Sequence, residues 1–176
     1  MSIYLFFIPK NKLLYCLKKN NDYITRLNKT KFKKMSIQVI DSLNAYDMLR
    51  NDKNSLLIDV RTTEEFNLVG IVDSSNFNNR MILLPWQYYQ NGEMNQDFLS
   101  TLNTNLNNFF KENLNDINLI FICRSGSRSF NASNYIANNG YKNCFNISDG
   151  FEGAIDKNHQ RSKINGWKYN NLPWKQ

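Results

Sequence analysis

The sequence predicts an α/β fold, with a central, mainly parallel sheet flanked by helices on both faces. Short apolar runs alternate with segments of helical periodicity from residue 36 onward, which is the pattern of strands joined by helical crossovers. Residues 119–122 are continuously apolar, and residues 56–60 are apolar except for Asp59, as expected for strands buried on both faces. With 176 residues and 41% hydrophobic side chains, the chain can form one domain with a real core and is too short for two.

The first half of the predicted domain reads as strand, helix, strand, helix. Residues 37–40 predict a short first strand, and Asp41 or Ser42 is expected to cap the helix that follows. Residues 56–60 predict a buried strand. A short helix is expected to open at residues 62–63, because two acidic residues follow there and suit the positive end of a helix dipole.

The second half continues the alternation. Residues 81–84 predict another strand, and residues 96–112 carry apolar side chains near helical spacing. Residues 119–122 predict a central strand, and a helix is expected from Arg128 onward. Residues 144–147 predict the last strand of the sheet.

The charge of the chain is concentrated at its N-terminus. Residues 1–34 contain nine lysines and arginines and one acidic residue, whereas residues 36–176 contain 13 basic and 14 acidic residues. The nearly neutral main domain gives no reason to expect a nucleic-acid partner. We interpret residues 1–34 as a basic extension that is disordered or precedes a true start at Met35. A membrane-surface segment and a targeting peptide are the alternatives, and the apolar run 3–8 is too short to span a membrane.

The cysteines indicate a reducing compartment. There are three, Cys16, Cys123 and Cys144, and their spacing fits neither a metal site nor a disulfide framework. We therefore expect a cytoplasmic protein without a metal or another cofactor.

The candidate catalytic residue is Cys123, which directly follows the predicted central strand. Ligand sites in open α/β sheets lie beyond the carboxyl ends of the strands. Small residues after the cysteine leave room for backbone amides to converge into an anion cradle, backed by a helix N-terminus; they are Ser125, Gly126, Ser127 and Ser129. Arg124 and Arg128 add fixed positive charge, and such surroundings favour a reactive thiolate over a merely buried thiol.

Residues 36–176 resemble the rhodanese family. The resemblance is carried by the early signature at residues 57–61 and 64–66, the loop 123–129, the segment 150–153 and the tail 165–174. The tail is similar to that of a bacterial single-domain subgroup. The resemblance implies a rhodanese-like fold for residues 36–176 and a sulfurtransferase activity.

The resemblance also implies a mechanism. Cys123 would take a sulfane sulfur from a small anion such as thiosulfate, hold it as a persulfide, and pass it to cyanide, a thiol or an acceptor protein. Arg128 would anchor the loop and Arg124 would face the mouth of the site, while the loop serines donate hydrogen bonds. Asp59 and Arg61 are expected to support the loop, with Arg61 paired to an acid such as Glu65; a purely structural ion pair is the alternative.

Two other functions remain open. Related folds use a similar cradle for phosphatase or arsenate reductase chemistry, but their loop has one residue more than the four that separate Cys123 from Arg128. The shorter ring favours a single sulfur over a tetrahedral phosphate. The second alternative is a sulfur-relay or partner-binding module without turnover of free thiosulfate.

Several residues outside the loop have weaker interpretations. Cys144 is expected to be a buried strand residue, with a resolving thiol as the alternative, and His159 a solvated loop residue. Phe151 is a candidate for the rim of the pocket. The tryptophans are expected to pack irregular segments, with a place at the pocket mouth as the alternative; they are Trp86, Trp167 and Trp174.

Overall fold

A computed structural model describes residues 36–110 and 116–176. The basic extension predicted over residues 1–34 lies outside these described residues. Within them, none of the helices has both the length and the apolar character needed to cross a bilayer.

Strands and helices alternate along the described chain, as predicted. In order, the elements are β1 (Gln38–Ile40), α1 (Ser42–Asn51), β2 (Ser55–Asp59), α2 (Thr63–Val69), β3 (Ile71–Val72), β4 (Met81–Leu83), α3 (Phe98–Phe109), β5 (Asn118–Ile122), α4 (Ser127–Asn138), β6 (Cys144–Ile147) and β7 (Trp174–Lys175). Five strands form one sheet in the order β1-β6-β5-β2-β4, and every neighbouring pair in it is parallel. The strands β3 and β7 form a separate antiparallel ribbon. This architecture confirms the predicted fold class.

The sheet separates two hydrophobic cores, because successive side chains of each buried strand point to opposite faces. Phe121 of β5 belongs to the core that contains Leu102 of α3 and Ile136 of α4. Its neighbour Ile120 belongs to the other core, with Leu49 of α1. Helices therefore cover both faces, and the central strands are buried along their length.

Capping side chains define where the early helices begin. Asp41 caps α1 by accepting a hydrogen bond of 2.8 Å from the backbone amide of Asn44. Thr62 caps α2 in a reciprocal capping box with Glu65, which accepts from the Thr62 amide at 2.9 Å. Asp41 and Thr62 are each one of the two capping positions that the sequence predicted for these helices. Predicted and observed boundaries differ mainly at the ends, where α3 is shorter than residues 96–112 and α4 starts at Ser127.

The chain after β6 returns to the loop that follows β5. The backbone amide of Phe151 donates to the carbonyl of Cys123 at 2.8 Å, and the backbone amide of Glu152 donates to the carbonyl of Arg124 at 3.0 Å. Farther along, the amide of Trp167 donates to the carbonyl of Gly150 at 2.8 Å. Residues 150–168 therefore form a backbone layer, here called the C-terminal brace, against which the loop after Cys123 lies.

Candidate active site

Cys123 lies where the central strand gives way to α4. Cys123 is only 1% exposed. Its Sγ accepts hydrogen bonds from the backbone amide of Gly126 at 3.2 Å and from the hydroxyl of Ser129 at 3.3 Å. The sequence predicted a ring of several amides; in the described residues one amide and one hydroxyl donate to the sulfur. Both donors favour negative charge on Sγ.

Two glycines let the loop fit against the C-terminal brace and the end of β6. Gly126, at φ +94°, precedes α4, and a Cβ there would collide with the carbonyl oxygen of Ser148. Gly150, at φ +64°, faces the loop from the brace, and a Cβ there would lie 2.6 Å from the backbone nitrogen of Ser125. The shape of the loop therefore depends on backbone-to-backbone packing that no larger residue permits.

Arg128 is fixed by a two-pronged ion pair with Glu65. Its Nη1 and Nη2 donate to the two carboxylate oxygens of Glu65 at 2.6 and 2.7 Å, and both side chains are largely buried. Burial opposes the charge on Glu65, but hydrogen bonds from Arg128 and the Thr62 amide outweigh it, so the pKa of Glu65 lies below its ordinary 4.5. Burial likewise opposes the charge on Arg128, yet the bonds to Glu65 prevail and its pKa is raised. The Arg128–Glu65 ion pair connects the loop after Cys123 to α2.

The predicted pairing of Arg61 with Glu65 is wrong. Arg61 is fully buried and its Nη2 donates to Asp59 at 2.6 Å and to the carbonyl of Gly70 at 2.9 Å. The Arg61 guanidinium carbon lies 4.0 Å from the centroid of the Phe151 ring, a stacking contact that holds it beneath the loop. Glu65 is thus left to Arg128, and Asp59 and Arg61 form a buried structural pair.

Phe151 is not at the rim of the pocket, contrary to the prediction. It is fully buried in the core that contains Ile122 and Trp167. The reason is that the guanidinium of Arg61 covers one face of its ring. Its backbone, rather than its side chain, reaches the loop.

A cavity of about 410 Å³ opens above the loop. Cys123 lines it together with Arg124, Ser125, Ser127 and Arg128. Arg124 and both serines are exposed, so a bound anion has access to them. The structure therefore brings five of the sequence-predicted loop residues together around one opening. The other two, Gly126 and Ser129, are buried and contact the sulfur instead, and Asp59 and Arg61 also lie outside the lining.

The opposite wall of this cavity was not predicted. It is a short hairpin over residues 87–94, closed by a bridge between Gln87 and Met94 and a hydrogen bond of 3.0 Å from the amide of Tyr88 to the carbonyl of Glu93. Tyr88 and Tyr89 line the cavity from its tip. The dipeptide at residues 91–92, Asn-Gly, is a turn signal that could have revealed the hairpin.

Cys144 is too far from Cys123 to form a disulfide with it. It is buried in β6 opposite Leu119, and Cys123 lies four residues after Leu119, just beyond the end of β5, which is about 13 Å at the usual strand rise. Burial raises the pKa of Cys144 to about 12. It is therefore a buried strand residue, as predicted, and not a resolving thiol.

The remaining candidates lie away from the cavity. His159 is exposed in a loop, Trp86 and Trp167 are buried, and Trp174 packs edge-on to Phe151. Residues 36–110 and 116–176 contain no group of three His, Cys, Asp or Glu side chains arranged to hold a metal.

Comparison with known proteins gives consistent matches. The family model described as "STR4 middle domain" matches residues 37–176. Uncharacterized protein RP600 of Rickettsia prowazekii (strain Madrid E) is 48% identical over 140 residues, which cover 80% of this chain and 98% of that protein. Rhodanese-like domain-containing protein 17 of Arabidopsis thaliana is 31% identical over 130 residues, 73% of this chain and 74% of that protein. The crystal structure of Rv0390 from M. tuberculosis matches with a TM-score of 0.69 and 32% identity, over 80% of this chain and 99% of that one.

Proposed function

Because the chain belongs to the rhodanese-like domain family, whose fold is that of a sulfurtransferase-type domain, we propose that it transfers a sulfane sulfur. The donor is a small anion such as thiosulfate, the carrier is a persulfide on Cys123, and the acceptor is a thiol or cyanide. The observation that carries the proposal is the position of Cys123, which is among the residues that line the open cavity and whose sulfur accepts hydrogen bonds from Gly126 and Ser129.

The reaction is a double displacement. In the first step the thiolate of Cys123 attacks the outer sulfur of thiosulfate. A new sulfur–sulfur bond forms, the bond within thiosulfate breaks, and sulfite leaves with its electron pair. In the second step a nucleophile such as cyanide attacks the terminal sulfur of the persulfide, thiocyanate forms, and the Cys123 thiolate is regenerated. No net oxidant or reductant is required.

The loop stabilises the negative charge in both steps. The amide of Gly126 and the hydroxyl of Ser129 already donate to Sγ, and fixed donors of this kind stabilise charge without reorganisation. Arg128 holds the loop in place through Glu65. Arg124 is exposed at the opening and attracts the anionic donor. Ser125 and Ser127 line the same cavity, where their hydroxyls can donate further hydrogen bonds to a bound anion.

Intact-mass measurement tests the proposal. Protein incubated with thiosulfate should gain the mass of one sulfur atom, and cyanide should remove that mass while an equal amount of thiocyanate forms. Cys123→Ser should abolish both signals, whereas Cys144→Ala, the matched buried cysteine, should retain them. An adduct that persists in Cys123→Ser would rule out the assignment.

These assays, together with an assay of aryl phosphate hydrolysis, separate the alternatives. A persulfide that forms only from a protein donor, with no thiocyanate from thiosulfate, would indicate a relay module instead. Phosphate release from an aryl phosphate, without a sulfur adduct, would indicate a phosphatase.

A further inference from the structure

Asp149 is a buried carboxylate that lies between the end of β6 and the C-terminal brace. Its residue is 8% exposed, and it separates Ser148 from Gly150 in the chain. Its Oδ1 accepts a hydrogen bond of 2.9 Å from the backbone amide of Ser42, and its Oδ2 accepts one of 2.6 Å from the Ser42 hydroxyl. Oδ2 also accepts from the backbone amide of Gly166 at 3.2 Å. The carboxylate therefore connects the end of β6 to two segments that are distant from it in the chain.

Hydrogen-bond donors, rather than a basic side chain, stabilise the negative charge of Asp149. In the parts of the chain that the structure describes, no lysine or arginine forms a salt bridge with it. The Ser42 amide belongs to the first turn of α1, where unpaired N–H groups and the helix dipole favour an anion. The Ser42 hydroxyl also accepts a hydrogen bond of 2.9 Å from the side-chain amide of Asn170. Loss of the carboxylate would leave buried donors without an acceptor, which is costly.

Both chain neighbours of Asp149 are in close backbone contact with the loop that follows Cys123. On one side, a Cβ at Gly126 would collide with the carbonyl oxygen of Ser148. On the other side, a Cβ at Gly150 would lie 2.6 Å from the loop backbone. Gly126 is also the residue whose amide donates to the sulfur. A displacement of residues 148–150 therefore reaches the sulfur through main-chain atoms, because closely packed backbone leaves no room to absorb it.

We infer that Asp149 is a positioning residue for the Cys123 sulfur. Its carboxylate holds residues 148–150 against the first turn of α1 and against Gly166. In this position residues 148–150 keep the Gly126 amide at 3.2 Å from Sγ. The inference rests on the proposed function in one respect, namely that the Cys123 thiolate is the group that carries sulfur.

The ultraviolet absorbance of the thiolate tests this inference without any turnover. It is measured in the full chain during a pH titration, as the difference between each protein and the same protein with Cys123→Ser. Asp149→Ala should move the rise in absorbance to higher pH by about one unit, because a weaker hydrogen bond to the sulfur disfavours its charged form. Removal of a negative charge alone would move the rise to lower pH, so the sign of the shift separates positioning from a direct effect of charge. The other charged side chains near the loop are the same in all the proteins compared; they are Asp59, Arg61, Glu65, Arg124, Arg128, Glu152 and Arg161.

Two milder variants and one control complete the series. Ser42→Ala removes only the hydroxyl donor and should shift the absorbance in the same direction by a smaller amount. Asp149→Asn should shift it less than Asp149→Ala, because the amide oxygen can still accept from the Ser42 backbone. The control is Asp52→Ala. Asp52 accepts from the Asn54 amide at 2.8 Å and from the Asn118 side-chain amide at 2.7 Å, at the end of the sheet opposite the loop, so this variant should lose stability and leave the absorbance unchanged.

The outcomes of the titration separate this inference from the proposed function. A shift to lower pH, an unchanged absorbance, or equal shifts in Asp149→Ala and Asp52→Ala would overturn the inference. A shift to higher pH in Asp149→Ala and Ser42→Ala supports the positioning role even if the wild type forms no thiocyanate from thiosulfate, in which case only the proposed reaction fails. Thiocyanate formation by the wild type, with the same absorbance curve in Asp149→Ala, would overturn the inference alone.

Discussion

Replacing Gly150 by alanine tests whether the C-terminal brace sets the position of the loop after Cys123. The added Cβ would lie 2.6 Å from the backbone nitrogen of Ser125 and 2.7 Å from the carbonyl carbon and oxygen of Arg124. Ordinary contact begins at 3.4 Å, so the loop must retreat by about 0.8 Å, a displacement of the size that lowers rates by about 10²-fold. The retreat moves the Gly126 amide away from its 3.2 Å hydrogen bond with Sγ.

Alanine at this position also carries a backbone cost. Gly150 has φ +64°, in the left-handed region, where a side chain costs roughly 1–2 kcal/mol. Gly140→Ala is the matched control, since Gly140 has φ +103° and a Cβ there would meet nothing within 4 Å. Gly140→Ala should lose stability in urea unfolding by about this amount, and Gly150→Ala should lose more because its Cβ also clashes with the loop.

The two variants should differ sharply in thiocyanate formation. Gly150→Ala should lower kcat by about 10²-fold, whereas Gly140→Ala should stay within about twofold of the wild type, because its site lies at the far end of α4. Equal kcat values for the two variants, measured under conditions where both are folded, would show that the position of the loop does not depend on the brace.

Two further predictions concern the charged pairs. Glu65→Gln should remove a stabilisation that depends on pH: the pKa of Glu65 is lowered in the folded state, so the Arg128 pair stabilises the fold above pH 4.5 and is lost as the pH falls through the lower folded value. The wild-type advantage in urea unfolding should therefore vanish in acid, and an advantage that grew on acidification would contradict this sign. Arg61→Met leaves the Asp59 carboxylate buried without its partner and should cost about 3–5 kcal/mol. The double variant Asp59→Asn with Arg61→Met should recover part of that loss, and strict additivity in the double-mutant cycle would refute the pairing.

The sequence was sufficient to place Cys123 at the end of a buried strand, because the apolar run 119–122 fixes that strand and the polar loop after it must emerge at the strand end. The caps at Asp41 and Thr62 were predictable for a similar reason, since both are local. The partner of each buried charged side chain was not predictable from the sequence. Arg61 was predicted to pair with Glu65, but the structure pairs Glu65 with Arg128 and holds Arg61 against Asp59 and Phe151.

The hairpin over residues 87–94 shows another limit of sequence reasoning. Its Asn-Gly turn was visible at residues 91–92, but the flanking residues lack the apolar alternation that identifies a strand pair. Its importance comes from where Trp86 anchors it, opposite the loop that follows Cys123. The hairpin and the loop after Cys123 are far apart in the chain, so local sequence patterns do not reveal that they lie close together in the fold.

The C-terminal brace has a consequence for the order of events during synthesis. Domains form as the chain leaves the ribosome, N-terminal parts first. The carbonyls of Cys123 and Arg124, however, accept hydrogen bonds from the amides of residues 151–153, and the adjoining carbonyls of Gly150 and Phe151 accept in turn from Trp167 and Lys168. A nascent chain that ends before these residues has the thiol but not its supporting layer. We therefore expect a truncated polypeptide that ends before residue 168 to lack the proposed sulfur transfer.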